Sequence, residues 1–278
     1  MHDRLAEPHY EQIARLVETH TGIQLPASKR IMVEGRLRRR VRALGLKDLG
    51  EYGEAMFRGG LLAREFGHVV DCVTTNKTDF FREPQQFDLL ASRILQDLEA
   101  SARRPGAPLK FWSAAASIGA EAYTIAMVAA RALQPSGGRF SVLGTDISAS
   151  VLESARSAIY PLAMADPIPA AYRKSFLMFA RDAKRREFRI APELRRVVRF
   201  EPINLMDDAY PHDEDFDVIF CRNVLIYFAK PDQTAVIDRL VGHLRVGGYL
   251  LLGQSETLTA RDPRRLSQVA ASVYRKMR

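Results

Sequence analysis

The chain has 278 residues, of which 47% are hydrophobic and 27% are charged, and its formal net charge is +8. These values are ordinary for a soluble globular protein with one large or two smaller domains. The two cysteines, Cys72 and Cys221, lie in apolar stretches and the six histidines are scattered, so we expect neither a disulfide framework nor a metal site. The longest apolar run, residues 122–130, is too short to cross a bilayer, and the N-terminal residues lack a signal-peptide core. We therefore expect a cytoplasmic protein.

Residues 1–73 are predicted to form a small all-helical domain, because apolar residues recur there at helical spacing and no strand pattern interrupts them. A first predicted helix ends at Gly22, and a second runs from Ser28 to Gly45. Asp48, followed three residues later by Glu51, resembles the capping box that begins a third helix.

Residues 74–278 are predicted to form an α/β domain, in which apolar strand-like runs alternate with helices. This alternation is typical of a mostly parallel, doubly wound sheet with helices on both faces. The stretch at about 172–200 is too basic and irregular for a crossover helix, and we expect a small antiparallel β insertion there. The predicted strands are 109–112, 140–144, 197–201, 216–221 and 249–252, and the predicted helices are 120–133, 149–157 and 233–244.

The positive charge is concentrated in two stretches of the chain. Residues 29–42 contain seven basic residues and one acidic residue, and residues 172–199 contain ten basic and three acidic residues. Because the excess is local, it favours an acidic partner over general stickiness.

Two features at the ends of predicted strands favour a nucleoside-binding site. The first strand leads into a loop of small residues, 113–119, ahead of a helix, where a ligand can approach the backbone. The loop lacks the repeated glycines of a dinucleotide fingerprint, which is compatible with a nucleoside that carries no phosphate. Asp146 ends the second strand, where a carboxylate can accept hydrogen bonds from ribose hydroxyls. A tight packing turn, and a helix N-cap at Asp146 or Ser148, are the alternative explanations.

Polar side chains adjoin apolar runs at two further places. Arg222 and Asn223 directly follow the fourth predicted strand, with Tyr227 four residues later; the alternatives are loop capping and a core tyrosine. Arg82 directly follows two phenylalanines at 80–81. It either ends a buried turn or lies at the rim of a pocket that the phenylalanines anchor.

Taken in chain order, these segments resemble the CheR family of chemotaxis receptor methyltransferases. Residues 22–46 are similar to the small helical domain of that family, and the resemblance extends over nearly the whole chain. The motifs that carry it are TNKTDFFRE at 75–83, WSAAASIGAEAYTIAM at 112–127, GTDIS at 144–148, FCRNVLIYF at 220–228 and GGYLLLGQSE at 247–256.

The resemblance implies a Rossmann-like fold that uses S-adenosylmethionine and yields S-adenosylhomocysteine, with a small N-terminal all-helical domain and a small β insertion. It implies that glutamate side chains on the cytoplasmic helices of chemoreceptors become methyl esters. Arg82 and Tyr227 match the residues that the family places beside the reacting methyl group. The family's cofactor contacts carry over onto Asn76, Thr78, Arg82, Glu121, Asp146, Asn204, Leu205, Arg222 and Asn223.

The same resemblance suggests a role for the basic stretch 29–42, because an acidic receptor helix would be attracted to it. A solvated helix face is the alternative. The predicted receptor-binding residues, which lie away from the apolar face of this helix, are Arg36, Arg39, Arg40 and Arg42.

Some family members dock a receptor peptide on the insertion, whose hairpin loop then carries paired glycines. Here the loop at 180–187 reads ARDAKRRE and has no glycine, which argues against such docking. We further expect a monomer that does not insert into the membrane.

The acceptor chemistry requires little from the protein. A glutamate carboxylate has an ordinary pKa of about 4.3, so it is an anion at neutral pH and needs no general base. The enzyme has to supply in-line positioning and partial desolvation. One alternative is a methyltransferase acting on nucleic acid. The basic stretches favour it, but they have few interleaved aromatic residues for base stacking, Phe188 being one. Another is a module that senses the cofactor without catalysis.

Overall fold

A helical N-terminal part precedes a seven-stranded mixed sheet and a three-stranded antiparallel sheet. This architecture confirms the predicted α/β class with a helical N-terminal part and a small antiparallel insertion. No helix among the described residues is long and apolar enough to cross a membrane. The computed structural model describes residues 3–101, 107–182, 184–212, 215–258, 260 and 262–278.

Helices and strands are each numbered in chain order. The helices are α1 (Glu7–Thr21), α2 (Arg30–Ala43), α3 (Leu49–Phe57), α4 (Leu62–Val73), α5 (Pro84–Leu89), α6 (Leu95–Ala100), α7 (Ala120–Leu133), α8 (Ala149–Ser157), α9 (Ala170–Phe176), α10 (Pro192–Val197) and α11 (Lys230–Gly242). The strands are β1 (Leu109–Ala114), β2 (Phe140–Asp146), β3 (Ile159–Pro161), β4 (Leu177–Phe179), β5 (Glu187–Ile190), β6 (Val198–Pro202), β7 (Phe216–Cys221), β8 (Leu244–Leu252), β9 (Leu266–Ala270) and β10 (Val273–Lys276).

Local signals set the ends of the N-terminal helices. α1 ends where Gly22 adopts a left-handed φ of 71°. Asp48 caps α3 by accepting a hydrogen bond from the N–H of Glu51 at 2.9 Å, and the Glu51 carboxylate accepts one from the N–H of Lys47. α4 ends at Val73, the last residue of the predicted helical domain. The apolar faces of α1 to α4 share a core that includes Val17, Val33, Leu37, Leu49, Tyr52 and Val69.

The large sheet has the strand order β6-β2-β1-β7-β8-β10-β9. Neighbouring strands from β6 to β8 pair in parallel, and β10 and β9 add antiparallel strands at one edge. All five predicted strands are present, although β8 begins earlier, at Leu244. Because the chain winds outward from β1 on one side and from β7 on the other, a crevice is expected at the carboxyl ends of these two strands. β9 and β10 were not predicted from the sequence, since such short strands carry little alternation.

The small sheet corrects the predicted extent of the insertion. Its strand order is β3-β5-β4, and β3 lies before the predicted interval of about 172–200. That interval also holds α10 and the start of β6, which belongs to the large sheet. A three-residue strand has no detectable period, and only a tertiary contact reveals β3: Tyr160 is buried and stacks on Phe188 of β5 at 5.6 Å. Ala183, inside the glycine-free loop at 180–187, lies outside the described residues.

Candidate active site

A cleft of about 940 Å³, partly open to solvent, lies at the carboxyl ends of β1, β2, β6 and β7. This is the edge of an open α/β sheet at which ligands bind. Thr21 and Ile23 of the helical part contribute to one side. Every residue predicted to bind the cofactor or to act beside the methyl group lines this cleft: Asn76, Thr78, Arg82, Glu121, Asp146, Asn204, Leu205, Arg222, Asn223 and Tyr227.

Two buried phenylalanines anchor a sharply turned segment that forms one wall of the cleft. Phe80 is fully buried and packs edge-on against Tyr160 at 4.9 Å, and Phe81 is buried beside it. Phe81 and Glu83 have left-handed φ values of 54° and 59°, so the backbone reverses sharply at this point. This reversal leaves Arg82 exposed at the rim of the cleft and not at the end of a buried turn.

Asp146, the last residue of β2, ties together the loops that follow β1 and β2. Its buried carboxylate accepts hydrogen bonds from the N–H of Ser117 at 2.8 Å and from that of Ser148 at 3.0 Å. Ser148, and not Asp146, caps α8 by accepting a hydrogen bond from the N–H of Val151. Burial raises the pKa of Asp146, although the backbone N–H donors oppose the rise. Each carboxylate oxygen keeps accepting capacity for a further donor.

Arg222 connects three segments of the chain within the cleft. Its side chain, 1% exposed, lies 3.0 Å from Glu83 and 3.1 Å from Glu121, and it donates to the carbonyl of Arg82. Burial raises the pKa of Glu121, while the Arg222 charge and a hydrogen bond from the hydroxyl of Ser113 oppose the rise. The Nε of Arg222 is buried and has no hydrogen-bond partner among the described residues, so one donor remains available.

The turn that follows β7, residues 223–227, carries Asn223 and Tyr227. Asn223 has a left-handed φ of 59°, a conformation that asparagine tolerates better than most residues. The helical part reaches this turn, because the N–H of Gln24 donates to the carbonyl of Tyr227 at 3.1 Å. The ammonium of Lys29 also lies 5.5 Å from the centroid of the Tyr227 ring. The position of Tyr227 therefore depends on both parts of the chain.

The loop that follows β6 is tied to α1. The side-chain amide of Asn204 donates to the carbonyl of His20 at 2.6 Å, and its oxygen accepts from the N–H of Met206 at 3.0 Å. The carbonyl of Leu205 accepts from the Arg239 guanidinium at 2.7 Å. Asn204 and Leu205 thus line the cleft as part of a loop that is held in place.

The four predicted receptor-binding arginines of α2 divide into two pairs. Arg36 donates to three carbonyls at the end of α4. Arg40 makes two hydrogen bonds to Glu65, at 2.9 and 2.6 Å, and the Glu65 side chain is only 4% exposed. Arg39 and Arg42 are exposed. Arg36 and Arg40 thus hold α2 against α4, and the receptor-binding role of the four arginines stays a prediction.

Two acidic residues that the sequence reasoning missed organise the site. Glu83 accepts a hydrogen bond from the side-chain amide of Asn223 at 3.2 Å. Glu256 accepts hydrogen bonds from the backbone N–H groups of Asn223, Leu225 and Gly253. Both acids stand inside motifs that carry the family resemblance, and this position was the only signal that could have singled them out.

Comparison with known families covers both parts of the chain. The model of the CheR methyltransferase all-alpha domain matches residues 8–74, and that of the CheR methyltransferase SAM binding domain matches residues 76–275. The chain belongs to the CheR family. Its α/β part is accordingly the methyltransferase domain, and its cofactor is S-adenosylmethionine, as predicted.

Curated relatives in this family match the chain over most of its length. The chemotaxis protein methyltransferase of Salmonella typhimurium is 38% identical over 92% of this chain and 85% of its own. That of Escherichia coli is 37% identical over 97% of this chain and 91% of its own. The solved structure of PKMT2 from Rickettsia typhi in complex with AdoHcy is 15% identical, with a TM-score of 0.34 over 57% of this chain and 24% of that chain. A structural likeness of this size is too weak to support an argument.

Proposed function

We propose that this CheR methyltransferase acts in chemotaxis and converts glutamate side chains on the cytoplasmic helices of chemoreceptors into methyl esters. The relatives, which are chemotaxis protein methyltransferases by name, support the process. One observation carries the proposal for the chemistry: Arg82 and Tyr227, distant in sequence, line the same cleft as Asp146 and Arg222. These groups are equipped to position an anion and a nucleoside and include no dedicated nucleophile.

The lining groups fit S-adenosylmethionine in chemical type. Asp146 would accept hydrogen bonds from the ribose hydroxyls through the capacity that Ser117 and Ser148 leave unused. The buried Nε of Arg222, which lacks a partner, would donate to an acceptor such as the cofactor carboxylate. Asn76, Thr78, Glu121, Asn204, Leu205 and Asn223 complete the proposed binding set.

When bound, S-adenosylmethionine supplies an electrophilic methyl group. The acceptor glutamate has an ordinary pKa of about 4.3 and is already ionised, so no residue has to remove a proton. Arg82, exposed at the rim, would attract and orient the incoming carboxylate. The hydroxyl of Tyr227 would donate a hydrogen bond close to the reacting groups. The walls of the cleft exclude part of the water and restrict the approach of the acceptor.

For receptor recognition we assign Arg39 and Arg42, because Arg36 and Arg40 are engaged inside the helical part. Exposed charges of this kind speed the encounter with an acidic helix. The glycine-free loop at 180–187 gives no support for docking of a receptor C-terminal peptide. Recognition then falls on α2 and on the mouth of the cleft, and we expect a monomer with one cofactor site.

Incubation with methyl-labelled S-adenosylmethionine and a chemoreceptor cytoplasmic fragment tests the proposal. Label is expected on the receptor and should leave as methanol in mild base, because a methyl ester hydrolyses under those conditions. A receptor fragment whose methyl-accepting glutamates are replaced by alanine is the control and should take no label. Label on RNA in place of the receptor would indicate a nucleic-acid methyltransferase. Cofactor binding without transfer to either acceptor would indicate a sensing module, and both results would contradict the proposal.

A further inference from the structure

Glu256 is a buried carboxylate that the proposed chemistry does not use. It follows β8 and is 7% exposed. One oxygen accepts hydrogen bonds from the backbone N–H groups of Asn223 at 2.9 Å and of Gly253 at 2.7 Å. The other oxygen accepts one from the N–H of Leu225 at 2.8 Å. Three backbone donors from two loops therefore converge on one side chain.

These hydrogen bonds hold the turn at residues 223–227 against the loop after β8. The two loops approach so closely that a Cβ on Gly253 would lie 2.7 Å from the side-chain nitrogen of Asn223. Glu83 adds a second carboxylate, which accepts from the Asn223 amide and from the N–H of Gln254, each at 3.2 Å. The turn is thus fixed from the side of β8 as well as from the helical part.

We propose that Glu256 is a positioning residue that fixes the turn at 223–227, and through it the hydroxyl of Tyr227, for methyl transfer. The proposal deepens the proposed function, since it rests on Tyr227 acting beside the reacting groups. Only a carboxylate presents acceptors to all three N–H groups. A glutamine would turn one acceptor into an NH₂ donor facing a backbone donor, and a buried N–H would lose its partner.

The variant Glu256→Gln tests this in the full chain, with Glu51→Gln as the matched control. Glu51 also accepts a backbone N–H, that of Lys47, but it does so at an exposed site on α3. Glu256→Gln is expected to lower kcat at least tenfold with the receptor fragment, and Glu51→Gln to leave kcat unchanged. In a Tyr227→Phe background, Glu256→Gln should lower kcat by less than twofold, because the hydroxyl that Glu256 positions is already absent. Additive losses would overturn the proposal, because they would mean that Glu256 does not act through Tyr227.

Hydrogen exchange of the free protein gives a readout that does not depend on the receptor. The amides of Asn223 and Leu225 should exchange at least tenfold faster in Glu256→Gln than in the unaltered protein, while those of α3 stay unchanged. Unchanged exchange in this turn would overturn the proposal even if methylation falls. Absence of methylation by the unaltered protein, with faster exchange in the variant, would refute the proposed function alone.

Glu256→Asp covers the case in which the glutamine variant does not fold. It keeps the charge and shortens the side chain by one methylene, so a smaller loss of kcat in the same direction is expected. Failure of both variants to fold would overturn the proposal, because Glu256 would then serve the whole fold and not one turn.

Discussion

Two arginines, Arg40 in the helical part and Arg222 in the α/β part, both pair with glutamate in buried or partly buried surroundings. Arg40 places two nitrogens on Glu65, which lies on the neighbouring helix α4. Arg222 forms ion pairs with both Glu83 and Glu121, and its Nε has no hydrogen-bond partner among the described residues.

The difference between the two lies in what surrounds each ion pair. The pair of Arg40 joins two helices over a closed apolar core, whereas Arg222 lines an open cleft. A buried arginine–glutamate pair is therefore not by itself a mark of an active site. An adjoining cleft and a donor that remains unused are what distinguish a site for a ligand from a structural contact.

The comparison predicts that Arg40→Met lowers stability and leaves the cleft intact. The change leaves the Glu65 carboxylate buried without its charged partner and with only the Tyr52 hydroxyl as a donor, so we expect the free energy of unfolding to fall by about 3 kcal/mol. Urea denaturation measures this loss, and Arg39→Met on the same helix is the control, with an expected change below about 0.5 kcal/mol. The affinity of folded Arg40→Met for S-adenosylhomocysteine should equal that of the unaltered protein. Equal unfolding midpoints for the two variants would show that the pair with Glu65 adds nothing to stability.

Tyr227→Phe should do the opposite, lowering the rate of methyl transfer and leaving stability unchanged. It removes one hydroxyl and almost no volume, so we expect kcat to fall by about 100-fold, a size typical for loss of one donor at a reacting centre. The affinity for S-adenosylhomocysteine, measured by calorimetry, and the unfolding midpoint should both stay unchanged. Equal losses of kcat and of affinity would instead make Tyr227 a cofactor-binding or structural residue.

The affinity for S-adenosylhomocysteine should also depend on pH through Asp146. Ribose hydroxyls donate to the ionised carboxylate, and burial raises the pKa of Asp146 above its ordinary value of 3.8. Acidification therefore protonates it earlier than an exposed aspartate. We expect constant affinity at neutral and alkaline pH and, below the raised pKa, a fall of up to about tenfold per pH unit.

Calorimetric titration across this pH range checks the expectation. The pKa of Glu121 is raised as well, so the variant Glu121→Gln separates the two carboxyls. If the affinity of this variant for S-adenosylhomocysteine still falls at low pH, the pH dependence is assigned to Asp146. Constant affinity down to about pH 4, where an ordinary aspartate is about half protonated, would contradict the raised pKa of Asp146.

A smaller effect is expected for the exposed arginines of α2. Replacing Arg39 and Arg42 by glutamate should raise KM for the receptor by several-fold at low salt and leave cofactor affinity unchanged. Exposed charges are screened, with a Debye length of about 8 Å at physiological ionic strength, so the effect should shrink as salt is added. Replacing two exposed arginines elsewhere, Arg58 directly after α3 and Arg64 of α4, by glutamate makes the same change of net charge. An equal rise of KM for this control would show that net charge, and not the face of α2, governs the encounter.

Methylation of a receptor that lacks its C-terminal tail is a second test of how the receptor is recognised. Because the loop at 180–187 has no glycine, we expect methylation of the shortened receptor to be nearly unchanged. A clear fall, or measurable binding of the isolated tail peptide, would show that the insertion docks peptide.

The sequence by itself determined the features that depend on neighbours along the chain. Helix ends at Gly22 and Asp48 follow from backbone conformation and capping, which act over three or four residues. The central strands follow from apolar runs of ordinary length. The motif order indicated the family, and the resemblance supplied ten residues that line one cleft. Those that follow β1, β2, β6 and β7 lie there because the carboxyl ends of parallel strands meet at one edge of the sheet.

Only the tertiary structure decided how the charged and polar groups are paired. Arg39 and Arg40 are adjacent in sequence, yet Arg40 forms an ion pair with Glu65 whereas Arg39 is exposed to solvent. Arg222 meets Glu121 across 101 positions of sequence, and the short strand β3 exists because Tyr160 finds a distant aromatic partner. Side-chain pairing of this kind depends on which elements pack together, and no local period in the sequence records it.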